Sequence, residues 1–228
     1  MPEVLLIGDS FGVERIHSGV IDVPYDKTWP VLVNESFAKS RELKMESDFE
    51  AFRLLDELLD ILDKKLEDST YKLVIIQAGL VDCFPRPLPR TLFRSRNIIC
   101  RILRKSISYI RSFWLKYIYC HPMVSTEALV NKFTKIINRF TKIKFIYITI
   151  TPQLHDQAVH TPKQAAIIDF YNEEIKQIKS QCNNFDVFDF NAVCCQKYLH
   201  PVDSHLTLEG NRYLADVVIK IINGIYSA

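Results

Sequence analysis

Apolar residues run unbroken through Val4-Leu5-Leu6-Ile7 before Gly8-Asp9-Ser10 stops them. Four such positions in a row predict a strand buried on both faces. Two further stretches repeat the pattern: Lys72 to Gln77 and Lys144 to Ile150, the latter dense in β-branched and aromatic residues. Leu43 to Glu46 and Phe185 to Phe188 predict shorter strands. Between them the period changes to that of a helix. Phe52, Leu55, Leu58, Leu59 and Leu62 recur at helical spacing within Phe49 to Leu66. Helices are also predicted over Trp29 to Lys39, with Pro30 in its first turn, Glu127 to Phe140, Pro162 to Cys182, and Thr207 to Ile222 with Thr207 as N-cap. Phe11 to Ile16 reads as one or two helical turns; Gly19 to Asp26, Thr151 to Pro162 and Tyr198 to Ser204 read as loops.

Strands alternating with helices require right-handed parallel crossovers. The expected fold is a flavodoxin-like three-layer α/β/α domain spanning residues 1–228. Its five-stranded parallel sheet should take the order 2-1-3-4-5. A chain of 228 residues with 48% hydrophobic content can build one such domain with room for an insertion. The insertion is expected after strand three, over about residues 83–122. Pro85, Pro87 and Pro89 break any helix at its entry. Beyond them Ile98, Ile99, Ile102, Leu103, Ile107, Ile110, Phe113, Trp114 and Tyr117 form one stripe of a helix predicted over Ile98 to Tyr117.

Charge changes the picture only there. The net charge is +2, but nine Lys or Arg and no Asp or Glu lie between Cys83 and Cys120. Three readings stand side by side. The segment is a solvated face over a core stripe, a wall that attracts an anionic glycan, or a surface that rests on an anionic membrane through residues 86–116. No run of about 18 apolar residues exists, so no spanning helix is expected. With a strand at the N-terminus no signal peptide is expected, which points to the cytoplasm, with peripheral membrane contact left open. The cysteines Cys83, Cys100, Cys120, Cys182, Cys194 and Cys195 lack C-x-x-C spacing and read as reduced thiols. No phosphate loop, dinucleotide fingerprint, H-E-x-x-H or Gly-x-Ser-x-Gly occurs. No cofactor, metal or nucleic-acid partner is expected.

Ser10 sits where the chain leaves the first strand, at the C-terminal edge where open α/β sheets keep their sites. A serine hydroxyl needs a base to act as a nucleophile, and the best candidate lies in Asp203-Ser204-His205. Gly8-Asp9-Ser10 together with Asp203-Ser204-His205-Leu206-Thr207-Leu208-Glu209-Gly210-Asn211 resembles the GDSL/SGNH hydrolase superfamily. The resemblance implies Ser10 as nucleophile, His205 as base and Asp203 as the residue that orients it. That family more often spaces the last two as Asp-x-x-His, which would place Val202 in the role; His200 is a rival base. The bland reading makes Asp203 a helix cap and His205 a loop residue.

For the oxyanion the same resemblance implies the nucleophile's own N–H, a second-block glycine and an asparagine from Gly-x-Asn-Asp. Here the third block is Gly79-Leu80-Val81-Asp82, with valine for asparagine, and no glycine lies between Gly19 and Gly79. Ser47 is the positional candidate for the second block. Ser10, Ser47, Gly79, Asp82 and Arg86 are therefore the expected oxyanion or substrate-binding set, with Asp82 alternatively a structural pin. His155 and His160 fall in the loop after strand four and read as substrate-side or solvated. The Gly79-x-Val81-Asp82-Cys83-x-Pro85-Arg86 block resembles SGNH-like proteins of bacterial surface polysaccharide synthesis. The expected activity is a serine esterase removing O-acyl groups, acetyl above all, from a small-molecule or carbohydrate ester. An O-acyltransferase using the same machinery and a non-catalytic binding module that kept the fold are the alternatives.

Overall fold

In the computed structural model the described residues are 3–17, 19–40, 43–67, 69–83, 97–109, 113, 124–152, 164–193, 196–201 and 205–227. The central sheet is built from β1 (Val4–Gly8), β4 (Met45–Phe49), β5 (Leu73–Gln77), β6 (Lys144–Ile148) and β7 (Phe185–Phe188), in the order β4-β1-β5-β6-β7. Every pairing in it is parallel. Numbered within the sheet, this is the expected 2-1-3-4-5.

β1 and β5 are buried along their whole length, so both faces of the sheet need cover. Two groups of helices supply it. α1 (Trp29–Ser40) packs on α8 (Leu208–Tyr226), while α2 (Leu55–Glu67), α5 (Thr126–Arg139) and α6 (Gln164–Ile178) pack in series. α2 buries Leu55, Leu58, Leu59 and Leu62 of the stripe read from its spacing, together with Leu66; Phe52, the first of that stripe, precedes the helix and is exposed. α5 buries Leu129, Phe133, Ile136 and Ile137, and α8 buries Leu214, Ala215, Val218 and Ile222. Short helices α3 (Leu80–Cys83) and α7 (Phe190–Val193) follow β5 and β7, and α4 spans Ile98–Tyr109.

Two local expectations are corrected. Phe11 to Ile16 is not helical. A single 3₁₀ turn, Ser10–Gly12, ends at Val13 in extended conformation, and the chain then forms an antiparallel hairpin of β2 (Arg15–His17) and β3 (Val20–Val23). Gly19, at φ +80°, makes the turn between them, and Arg15 forms an ion pair with Asp22 across the hairpin. The second sheet strand also lies further along than expected, at Met45–Phe49, and α2 starts only at Leu55. Residues 84–96, 110–112 and 114–123 lie outside the described set, so α4 is described as twelve residues rather than the expected twenty.

Candidate active site

The site grows from the end of β1. Gly8 and Gly12 have no room for a Cβ: the Gln77 carbonyl and the Phe49 ring fill that space at Gly8, and the Phe49 ring fills it at Gly12. The pairing with β5 continues one step past the strand, with Asp9 N–H donating to Gln77 O at 3.1 Å. The Asp9 carboxylate then turns inward and is fully buried. One oxygen accepts from Phe11 N at 3.2 Å, the other from Gly79 N at 3.1 Å. A single side chain thus ties the turn carrying Ser10 to the loop after β5. Burial pushes the Asp9 carboxyl up to about 6; the backbone N–H bonds and the nearby His205 pull in the opposite direction.

Ser10 opens the 3₁₀ turn, partly exposed, and its Oγ lies 2.9 Å from His205 Nε2. These residues are 195 positions apart in the chain, and the histidine is held from both sides. Its ring stacks on Phe11, with centroids 5.1 Å apart and planes 17° from parallel. Its carbonyl accepts from His200 N at 2.7 Å. The following Leu206 is buried and bridges Leu199. Thr207 then caps α8 by accepting from Gly210 N at 3.1 Å. Buried Asn211 completes the support: its Oδ1 accepts from Trp29 N at 2.9 Å, and its Nδ2 donates to the carbonyls of Leu206 and Thr207. α1, α8 and the histidine loop are therefore joined at one amide.

The other expected residues are placed as follows. Asp203 and Arg86 lie outside the described residues, as do His155 and His160. His200 does not face Ser10. Its Nε2 is 3.9 Å from Asp22 Oδ2, and it lines an open cleft of about 350 Å³ together with Arg15, Lys197 and Glu209. Ser47 pairs with Leu6 in the middle of β4, two positions short of the strand's end, and its hydroxyl accepts from Asn34 Nδ2 at 2.8 Å. The reading that put it beside the nucleophile followed from placing the strand's end too early.

Gly79 is at the site, but its N–H is taken by Asp9. Its φ of +110°, with Ile150 Cδ1 only 2.9 Å from where a Cβ would stand, explains why glycine is there. Asp82 is buried beneath, and one oxygen accepts from Leu55 N at 2.9 Å, capping α2. The other oxygen, Oδ1, has no partner. Burial, with the charges of Asp9 and Asp56 adding to it, pushes this carboxyl up to about 7. Asp82 acts as a pin between the loop after β5 and α2. Val81, in the third block, is buried.

Two contributors escape sequence reasoning. Arg53 is buried; its guanidinium reaches Asp48 at 2.8 Å, Glu50 at 3.0 Å and, more distantly, the Gly8 carbonyl at 3.5 Å. It clamps the loop after β4 to the end of β1. Phe52 beside it adopts φ +64°, a left-handed conformation rare for a bulky residue, with its ring 80% exposed. No pattern of apolar spacing signals either, although a single arginine just before a leucine-rich helix was a visible irregularity. Among the described residues, no three His, Cys, Asp or Glu side chains group to hold a metal ion, and Cys83 and Cys182 are free thiols.

No protein-family model matches the sequence, and no curated protein matches it. Solved structures do. A lipase/acylhydrolase from Enterococcus faecalis is 16% identical, with a TM-score of 0.65 over 98% of this chain and 96% of that one. A G-D-S-L family lipolytic protein from Desulfitobacterium hafniense, described as putative, is 13% identical, with a TM-score of 0.61 over 97% and 99%. Est24, a carbohydrate acetylesterase from Sinorhizobium meliloti, is 13% identical, with a TM-score of 0.62 over 99% and 100%. The chain thus shares the fold of G-D-S-L lipolytic proteins and acetylesterases over nearly its full length.

Proposed function

We propose that this chain is a G-D-S-L-type serine esterase that removes small O-acyl groups, acetyl first among them, from a carbohydrate or other small ester. The observation that carries the reading is the 2.9 Å approach of His205 Nε2 to Ser10 Oγ. A base within hydrogen-bond reach is what a serine needs in order to attack. His205 takes the Ser10 proton as Oγ bonds to the ester carbonyl carbon. The tetrahedral oxyanion then collapses, the alcohol leaves with the proton returned by His205, and the acyl group stays on Ser10. Water, deprotonated by the same ring, attacks the acyl carbonyl; the Oγ–acyl bond breaks, the acid leaves, and His205 returns the proton to Ser10 Oγ. Asp203, two residues before the base, takes the orienting role by resemblance. The N–H of Ser10 itself is the first oxyanion donor of this reading. The carbohydrate acetylesterase among the structural neighbours favours the choice of substrate class.

A purified wild-type protein should hydrolyse p-nitrophenyl acetate and deacetylate acetylated oligosaccharides, and Ser10→Ala should do neither while melting at the same temperature. A folded Ser10→Ala protein with wild-type kcat would sink the assignment.

A further inference from the structure

Helices α2 and α4 are both amphipathic, and they use their apolar stripes in opposite ways. α2 puts all five of its stripe leucines into the core. In α4, every side chain that is described is exposed: Ile98, Ile99, Ile102, Leu103, Lys105 and Ser106. The three isoleucines are 62–69% exposed, and Phe113 beyond the helix is 57% exposed. At 3.6 residues per turn, Ile98, Ile99, Ile102 and Leu103 fall within an arc of about 140°. The positions of Arg101 and Arg104 fall on the other side of the same helix, and Lys105, seven residues on from Ile98, borders the arc. A stripe that served the core would be covered, so the solvated-face reading does not account for this helix.

We infer that α4 is a docking helix for an anionic lipid surface, lying in the interface with its isoleucine arc toward the acyl chains. The charge pattern selects this occupant. Nine cations and no acid between Cys83 and Cys120 suit a surface of anionic headgroups. A soluble acidic glycan would use the cations but offers nothing to the isoleucines. A second copy of the chain would cover the isoleucines but bring a second set of like charges against the first. No described helix is long and apolar enough to cross a membrane, so contact is in the plane of the interface. The inference does not depend on the reaction at Ser10.

The test is co-sedimentation of the full-length protein with vesicles of phosphatidylcholine alone or with about 30 mol % phosphatidylglycerol. Wild type should pellet with the anionic vesicles only, and added salt should weaken the binding. The triple variant Ile98→Gln, Ile99→Gln, Ile102→Gln should lose binding at least tenfold, with unchanged circular dichroism and unchanged hydrolysis of p-nitrophenyl acetate. Arg101→Gln, Arg104→Gln and Lys105→Gln should each weaken it by about fivefold. The inference is overturned if wild type fails to pellet with anionic vesicles. It is overturned equally if the isoleucine variant binds them as wild type does, if wild type is a dimer that this variant dissociates, or if an acidic polysaccharide competes with the vesicles and binds both proteins alike.

Discussion

Asp82→Asn isolates the electrostatic foundation of the site. The carboxyl is buried, caps α2 through Leu55 N, and has one oxygen with no partner. Its folded value of about 7 stands against 3.8 in the unfolded chain. Between those limits the native protein holds a proton that the unfolded chain has released, so stability falls as pH rises. The loss starts near pH 4 and is complete above about pH 7. The gap from 3.8 to about 7, at about 1.4 kcal/mol per pH unit, amounts to about 4 kcal/mol. That is a large share of the roughly 5–15 kcal/mol that holds a typical domain together. Asparagine keeps the carbonyl oxygen that accepts from Leu55 N and cannot ionise. The variant should therefore gain about 4 kcal/mol at pH 8 but only about 1 kcal/mol at pH 4.5. In urea, with a slope of about 2 kcal/mol/M, the midpoint advantage should widen by about 1.5 M between the two pH values. A variant destabilised by the same amount at both would refute the reasoning, because the ionised carboxylate would then be a net support.

Other consequences can be read with the same assays. His205→Ala should lower kcat on p-nitrophenyl acetate by about 10⁴-fold, and His200→Ala should leave it near wild type; the reverse result would move the base to His200. Asn211→Ala removes the side-chain partner of Trp29 N–H and of the Leu206 carbonyl next to His205, while the Thr207 carbonyl keeps the backbone N–H of residue 211, so urea unfolding should show a loss of about 2–3 kcal/mol with a reduced kcat. A fully stable variant would show that the amide is not the joint. Phe52→Gly relieves the φ of +64° and removes a ring that packs little, so its urea midpoint should equal or exceed that of wild type. Phe52→Val, at the same φ, should cost about 1–2 kcal/mol.

Much of the fold was legible because its central strands carry unbroken apolar runs. β1, β5 and β6 are buried on both faces, and periodicity alone announces them. Edge strand β4, Met-Glu-Ser-Asp-Phe, has three polar residues in five and is only partly buried, so its limits were misread and Ser47 was misplaced with them. The β2–β3 hairpin was invisible for a related reason. Its strands of three and four residues leave Ile16, Val20 and Ile21 exposed, so no alternation toward a core marks them. Ser10 and His205 were legible from short motifs at fixed places. What holds them was not. Asn211 acts across 182 residues on Trp29, and Asp9 across 70 on Gly79, and contacts of that range leave no local spacing in the chain. Arg53 was hidden because its value lies in backbone carbonyls and two nearby acids rather than in any repeat.

Reaction with a serine-directed fluorophosphonate, followed by intact mass and peptide mapping, tests the central claim most directly. The account predicts one phosphonyl group per chain, located on Ser10, and labelling that collapses in both Ser10→Ala and His205→Ala. Absence of label on the folded wild-type protein, or a label that maps to another residue and persists in Ser10→Ala, would contradict it.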